Sequence, residues 1–192
     1  MRAVRDSIIL CSSSPTRAKL LRDFGVEFEQ SSPIFDEDSI STNIAREFVY
    51  RASLGKLESA KSSLGLDRTL LCADTVIATS SGEILRKARD IDDARMILLK
   101  QSGSSISIIS SVHLYTPQKL FSDISATHYY FSPFDSDDLD RYLASGDWRG
   151  KAGACMVEGF CQKYIESVDG YQSTAMGLQV EVLLPWLGQI DV

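Results

Sequence analysis

The residues of this chain that can do chemistry are few and scattered: the stretch Ser12-Ser13-Ser14-Pro15-Thr16-Arg17, then Glu37, Lys56, Asp74, Lys87 and Glu158. The serine-rich stretch follows a short β-prone run, Ser7 to Cys11, and precedes Leu20, Leu21 and Phe24 at helical spacing. That order predicts strand, turn and helix, with Ser14 as N-cap, Pro15 in the first helical position and Gly25 as the stop. A helix N-terminus offers free backbone N–H groups and a partial positive charge. Small residues let an anion approach closely, and Arg17 in the first turn can add a bidentate contact. On this segment alone, a phosphate grip and an ordinary cap beside a solvated Arg both stay open. The pattern GxxxxGK[ST] is absent, which argues against kinase- or GTPase-type chemistry.

Asp74 is the single charge in the apolar run Leu70 to Thr79. A carboxylate inside a buried strand needs a partner or a metal. At a strand's C-terminal end it can hold Mg²⁺, which takes carboxylates together with substrate phosphates. Equally, Ala73-Asp74-Thr75 can already be leaving the strand, with Asp74 capping a loop. Glu37 lies in an acidic loop, Ser32 to Ser39. Lys56 lies on a helix, and Lys87 follows a short strand. Taken singly, each of these three reads as surface charge. The segment Gly150 to Gly159 is glycine-rich, which implies close approach of a ligand or a neighbouring chain. Glu158, between an apolar residue and a glycine, can face a pocket there.

The elements that must position these groups follow from periodicity. Val26 to Gln30 alternates as a second strand. A long helix is expected over Asn43 to Ser63, with Ile44, Phe48, Ala52 and Leu57 on its apolar face and Gly65 closing it. Ser81-Gly82 is a tight turn into Glu83 to Leu85. Asp90 or Asp92 caps a helix running to about Gln101. Ile106 to Tyr115 and Lys119 to Phe131 read as a hairpin around Pro117. A short helix over Asp135 to Ala144, a strand over Gln162 to Val168 and a final helix over Gly177 to Leu187 complete the chain. Strands alternating with helices, with a hairpin inserted, imply an α/β fold with a mixed sheet, in one unit over residues 1–192.

Composition narrows the rest. The chain has 192 residues, 44% hydrophobic and 24% charged, enough to bury a core. A net charge of −6 argues against binding a nucleic-acid polymer. No apolar run is long enough to span a bilayer, and a cytoplasmic setting is expected. Cys11, Cys72 and Cys155 sit in apolar runs, where Cys acts as a small hydrophobe. With no CxxC and only His113 and His128, zinc is not expected.

Together these segments resemble the Maf family of nucleotide pyrophosphatases over almost the whole chain, Ile8 to Leu187. Leu10-Cys11-Ser12-Ser13-Ser14-Pro15-Thr16-Arg17 is similar to the family's L-A-S-x-S-P-x-R, and Asp36-Glu37 to its D-E loop. Arg51-Ala52 through Lys56 is similar to R-x-A-x-x-K, and Ala73-Asp74-Thr75-Val76 matches A-D-T-V. Gly82 through Lys87 is similar to G-E-I-L-G-K-P. Ala144-Ser145-Gly146, Lys151-Ala152-Gly153-Ala154 and Gly177-Leu178 also have counterparts.

The resemblance implies a twisted mixed sheet flanked by helices, in two lobes around a central cleft, as in Maf and ITPase-like proteins. It implies hydrolysis of a nucleoside triphosphate, with a pyrimidine or modified base, to the monophosphate and pyrophosphate, using Mg²⁺, Mn²⁺ or Co²⁺. Ser12, Ser14, Arg17, Lys56 and Lys87 would then hold phosphates, and Glu37 and Asp74 would hold the metal. Asp74, Glu37 and Lys56 would form the catalytic group, with Glu158 and Thr75 facing the base. The only partners expected besides substrate are further copies of the chain, as a homodimer. A non-enzymatic, nucleotide-binding regulator of cell division is the alternative. Arg86 and Ala88 replace the Gly and Pro that flank the family's lysine, and Val157-Glu158-Gly159-Phe160 departs from the I-Q-G of one branch.

Overall fold

A computed structural model describes residues 7–187. Its sheet is built outward from β1 (Ile8–Cys11), four buried residues with parallel neighbours on both sides. On one side lies β2 (Phe28–Ser31), on the other β3 (Thr69–Thr79). The crossovers are α1 (Pro15–Asp23) and α2 (Ala45–Leu64), as parallel pairing requires. Beyond β3 the sheet turns antiparallel through β5 (Ser105–Tyr115), β6 (Leu120–Phe131) and β7 (Ile165–Asp169). The short β4 (Ile84–Leu85) pairs with the far end of β3. The order is β2-β1-β3-β5-β6-β7, a mixed sheet flanked by helices, as the alternation of elements implied.

Alternation along β3 sends neighbouring side chains to opposite faces. Leu70 and Cys72 pack on Leu57 and Ala60 of α2. Leu71 and Ala73 pack with Ala18, Leu20 and Leu21 of α1 and Leu183 of α6 (Val180–Leu187). Asp74 therefore faces α2, and Thr75 faces the other way. The far half of the sheet is covered by α3 (Ile91–Leu99) and α4 (Ser136–Ser145), whose Leu98, Leu139 and Leu143 join Ile106, Ile108 and Phe131.

The pairing pattern leaves an opening beside Asp74. Rungs between β1 and β3 end at Leu10 opposite Leu71, and β4 pairs with β3 only at Ile77 and Ala78. Cys72 to Val76 thus have no strand on that edge. The chain also reverses direction there: β1 leads to β2 on one side, and β2 leads back to β3 on the other. A crevice outside the carboxyl end of a strand at such a switch point is where open α/β sheets bind ligands.

Several sequence expectations are corrected. Asp74 is not at a strand end: β3 continues five residues past it. Ile44 is not on the apolar face of α2 but is its exposed N-cap, and the buried stripe is Ala45, Phe48, Val49, Ala52, Leu57 and Ala60. The strand expected from Gln162 begins at Ile165, after a 3₁₀ turn over Phe160–Tyr164. That turn holds the Tyr164 hydroxyl where it bonds Asp138 and the Asp135 N–H, anchoring the start of α4. The last helix starts at Val180, not Gly177, because Gly177 has φ +99 and ends the short α5 (Gln172–Ala175). Cys155 is not a free hydrophobe: it is disulfide-bonded to Cys161. Cys11 and Cys72 are buried and free. Among the described residues, no helix is long and apolar enough to cross a membrane.

Candidate active site

The site is assembled around the open edge of β3. Asp74 is 6% exposed. Its Oδ1 accepts from Lys56 Nζ at 2.5 Å, and the same ammonium reaches Glu37 Oε1 at 2.6 Å. Three residues that are isolated in sequence therefore share one charge centre. Lys56 follows Ala52 and Ser53 on the sheet-facing side of α2, which explains its reach. Glu37 arrives on the loop after β2, in a 3₁₀ turn capped by the Asp36 side chain accepting from Asp38 N–H.

Gly55 sets where that loop can lie. A Cβ on Gly55 would fall 2.1 Å from the Phe35 ring. The ring occupies the groove that the missing side chain leaves in α2, and Ser59 Oγ donates to the Ile34 carbonyl beside it. Gly→Ala inside a helix normally stabilises by about 1 kcal/mol. Here Gly55→Ala is expected to lower stability instead, by driving Phe35 out of its groove, and to loosen Glu37. Thermal melts measure the first effect, and release of pyrophosphate, the product that the family resemblance implies, measures the second. A variant more stable than wild type would show that the ring does not hold the loop.

Across the open edge, Arg17 is held by three hydrogen bonds. Its Nε donates to the Gly177 carbonyl at 2.8 Å, one terminal nitrogen to Ser12 Oγ at 3.1 Å and the other to Thr75 Oγ1 at 3.0 Å. Two of its five N–H groups remain for an anion. Ser12 Oγ also accepts from Ser14 N–H, and Ser14 Oγ accepts from Arg17 N–H. Among the described residues both hydroxyls act only as acceptors, which leaves both protons free to donate. Ser14 is the N-cap, and Arg17 beside it is not a solvated side chain but a buttressed donor.

Burial is the largest influence on the two central charges, and it opposes both. It pushes the Asp74 carboxyl above its ordinary pKa, partly offset by Lys56 and, more weakly, by Arg17. It lowers the Arg17 pKa, offset by Asp74 and Glu37. Asp74 is thus tolerated chiefly because Lys56 is near, and Arg17 chiefly because Asp74 is.

Thr75 looks into a cavity of about 330 Å³ on the other face of β3, lined also by Thr16, Gln101, Ile106, Ile108 and Glu158. Glu158 is on its exposed rim. Lys87 is not drawn in. Its backbone bridges Ala152, its side chain is exposed, and among the described residues it has no ion-pair partner. The histidines stand apart: His128 Nδ1 bonds Ser107, and burial pushes His113 down to about 4, so it is neutral at physiological pH. Sequence reasoning missed Gly55, Ser110 and Gln101. Only Gly55 left a signal, a glycine inside a long helix.

No group of three or more His, Cys, Asp and Glu residues among those described is arranged to enclose a metal. Glu37 and Asp74 both lie within 2.6 Å of one ammonium, which puts their oxygens no more than about 5 Å apart by geometry. Hard oxygen donors of this kind are what a divalent cation takes, with substrate phosphate and water as its other ligands, but the space between these two is taken here by the Lys56 ammonium.

Known proteins are similar to this chain over nearly its whole length. The family described as "Maf-like protein" matches residues 7–190. A nucleoside triphosphate pyrophosphatase of Nitratiruptor is 53% identical over 178 residues, covering 92% of this chain and 96% of that protein. A protein of the same name from Helicobacter pylori strain Shi470 is 39% identical, covering 92% and 93%. A crystal structure of a nucleoside-triphosphatase (dITP/XTP pyrophosphatase) from Mycobacterium abscessus aligns with 68% of this chain and 76% of its own. Its identity is 16% and its TM-score 0.45, too low to carry an argument. The match over nearly the whole chain, together with identities well above chance, places this chain in the Maf family.

Proposed function

We propose that the chain hydrolyses a nucleoside triphosphate to the monophosphate and pyrophosphate, with a divalent cation, at the open edge of β3. The observation that carries this reading is the shared contact of Lys56 with Asp74 and Glu37, placed across the gap from Arg17. The names of the relatives support the reaction class.

The residues divide the work. Ser12 and Ser14 hydroxyls, the two remaining Arg17 N–H groups and the third Lys56 proton bind phosphate oxygens. Asp74 takes the proton from the water that attacks the anhydride, and burial suits it to that role by raising its basicity. Glu37 and Asp74 would hold a divalent cation, Mg²⁺, Mn²⁺ or Co²⁺, which would supply further positive charge toward the leaving group. Most of the acceleration is positioning and charge stabilisation, as for other phosphoryl chemistry. Lys87 belongs to the phosphate set only if substrate draws its exposed side chain inward.

The base enters the cavity below Thr75, which suits a pyrimidine or a modified base. Glu158 on the rim can only accept hydrogen bonds, so it favours an exocyclic amine, as on cytosine, over a carbonyl. The setting is the cytoplasm, where nucleotide substrates are found. The test is pyrophosphate release across a panel of canonical and modified triphosphates, with Mg²⁺, Mn²⁺ or Co²⁺ and with chelator. Activity is expected with at least one metal and none with chelator. Nucleotide binding without pyrophosphate release under any metal would instead favour a regulator.

A further inference from the structure

The cavity beneath Thr75 has a hydrogen-bonding polarity fixed by residues that the phosphate chemistry does not use. Ser110 is fully buried on β5, opposite Thr75 in the ladder. Its hydroxyl donates to the Thr174 carbonyl at 2.8 Å and lies 2.8 Å from Thr75 Oγ1. A serine has one proton to give. Since that proton goes to Thr174, the Thr75 hydroxyl must donate to Ser110. Thr75 Oγ1 also accepts from Arg17. It therefore has no proton left, and what it offers the cavity is a lone pair.

Gln101 repeats the logic. It is fully buried and lines the same cavity. Its Nε2 donates to the Ile97 carbonyl at 3.2 Å and the Gly153 carbonyl at 2.7 Å. Two carbonyl acceptors fix which end of the amide is nitrogen, because a flipped amide would face oxygen with oxygen. Among the described residues its Oε1 reaches only Cys155 Sγ at 3.9 Å, and that sulfur, in a disulfide, carries no hydrogen. A buried carbonyl oxygen is thus left without a donor, which is costly unless a ligand or water supplies one. Glu158 adds a carboxylate at the rim. The other charged lining residue, Lys151, donates to the Asp147 carbonyl.

We propose that Thr75 and Gln101 read the base through its N–H donors, with Ser110 as the positioning residue that sets the polarity of Thr75 and Gln101 as a specificity-determining acceptor. The substrate class is a triphosphate whose base carries an exocyclic amine. This rests on the pyrophosphatase reading above. A site whose polar groups face a mismatched edge leaves them unpaired, so it discriminates far more strongly than an apolar one.

The experiment compares kcat/KM for two amine and keto pairs, CTP with UTP and ATP with ITP. It uses the wild-type chain and the variants Ser110→Ala and Gln101→Met, with thermal melts alongside. Wild type is expected to prefer the amine member at least tenfold. In Ser110→Ala the Thr75 proton is released to donate, so the ratio should fall at least fivefold through gain on the keto member. In Gln101→Met it should fall through loss on the amine member. A role confined to folding would lower all four rates together and leave the ratios alone, which would overturn the proposal, as would a wild-type ratio near one. If no triphosphate is hydrolysed, the reaction class fails. Calorimetric affinities for CMP and UMP then decide the base question: at least tenfold tighter CMP sustains it, and equal affinities overturn it.

Discussion

Lys56→Met is expected to lose roughly 3 kcal/mol of stability at neutral pH and to move the acid limb of the pH–rate profile upward. The first effect follows from burial. Asp74 is nearly enclosed, and Lys56 contributes the closest opposing charge. Removing one partner of a buried pair leaves the other charge uncompensated, a loss of about 3–5 kcal/mol. The low end applies, because Arg17 still attracts Asp74 from across the strand and Glu37 is half exposed. For a chain of this length that is roughly 10 °C in Tm. The second effect follows from Lys56 holding the Asp74 pKa down, by charge and by hydrogen bond, against the burial that raises it. Without the ammonium, Asp74 is protonated at higher pH, so the base is lost sooner as pH falls. The stability deficit should also shrink on acidification, since a protonated Asp74 no longer needs a cation. Under the proposed mechanism kcat/KM falls about 10²–10³-fold, as when one donor to a developing anion is removed. Urea melts at two pH values and a full pH–rate profile measure these together. An acid limb that stays in place would mean Asp74 is not the titrating base.

The fold was largely legible because its signals are local. Ser14-Pro15 marks the start of α1, Asp90 and Asp135 cap α3 and α4, and the hairpin of β5 and β6 declares itself by composition. What failed was non-local. Residues around Gln162 have strand-like character, but Tyr164 is held in a turn by Asp138 and Asp135, 26 and 29 positions away. The place of Asp74 in mid-strand depends on its pairing with Ser111 of β5, which no residue of β3 encodes. The pairing of Cys155 with Cys161 depends on a loop path that spacing alone does not dictate.

The site divides in the same way. Asp74 and Arg17 stand out as residue types in context, whereas Lys56 and Glu37 are ordinary charges until α2 lies over β3. Gly55 shows why: the loop bearing Glu37 is fixed by a side chain that is not there. Ser110 and Gln101 carry no sequence signal, because their effect is the direction of a proton, set by which carbonyls surround them.

Asp74→Asn is expected to abolish turnover while raising stability. Burial, the largest influence on Asp74, raises its pKa in spite of Lys56 and Arg17. A carboxyl whose folded pKa lies above its unfolded value contributes stability that is fully present below the unfolded pKa and is lost as pH rises through the folded one. At neutral pH the ionised Asp74 is therefore a net cost of the fold. Asn keeps the shape and an acceptor for Lys56 without that charge, and Lys56 keeps Glu37. A gain of about 0.5–2 kcal/mol is expected, the usual size of a single stabilising substitution. The gain should shrink as pH falls through the raised Asp74 pKa and vanish below its ordinary carboxylate pKa, where the unfolded chain is protonated as well. Activity should drop by about 10²–10⁴-fold, the usual contribution of a positioned general base. Nucleotide affinity without metal should be kept or improved, because a negative charge facing the phosphates has been removed. Chemical denaturation at neutral and acidic pH, with pyrophosphate release and calorimetric binding, tests each part. An Asn variant less stable than wild type at neutral pH would mean that the Lys56 pair outweighs desolvation, and a variant that still turned over substrate would move the chemistry away from Asp74.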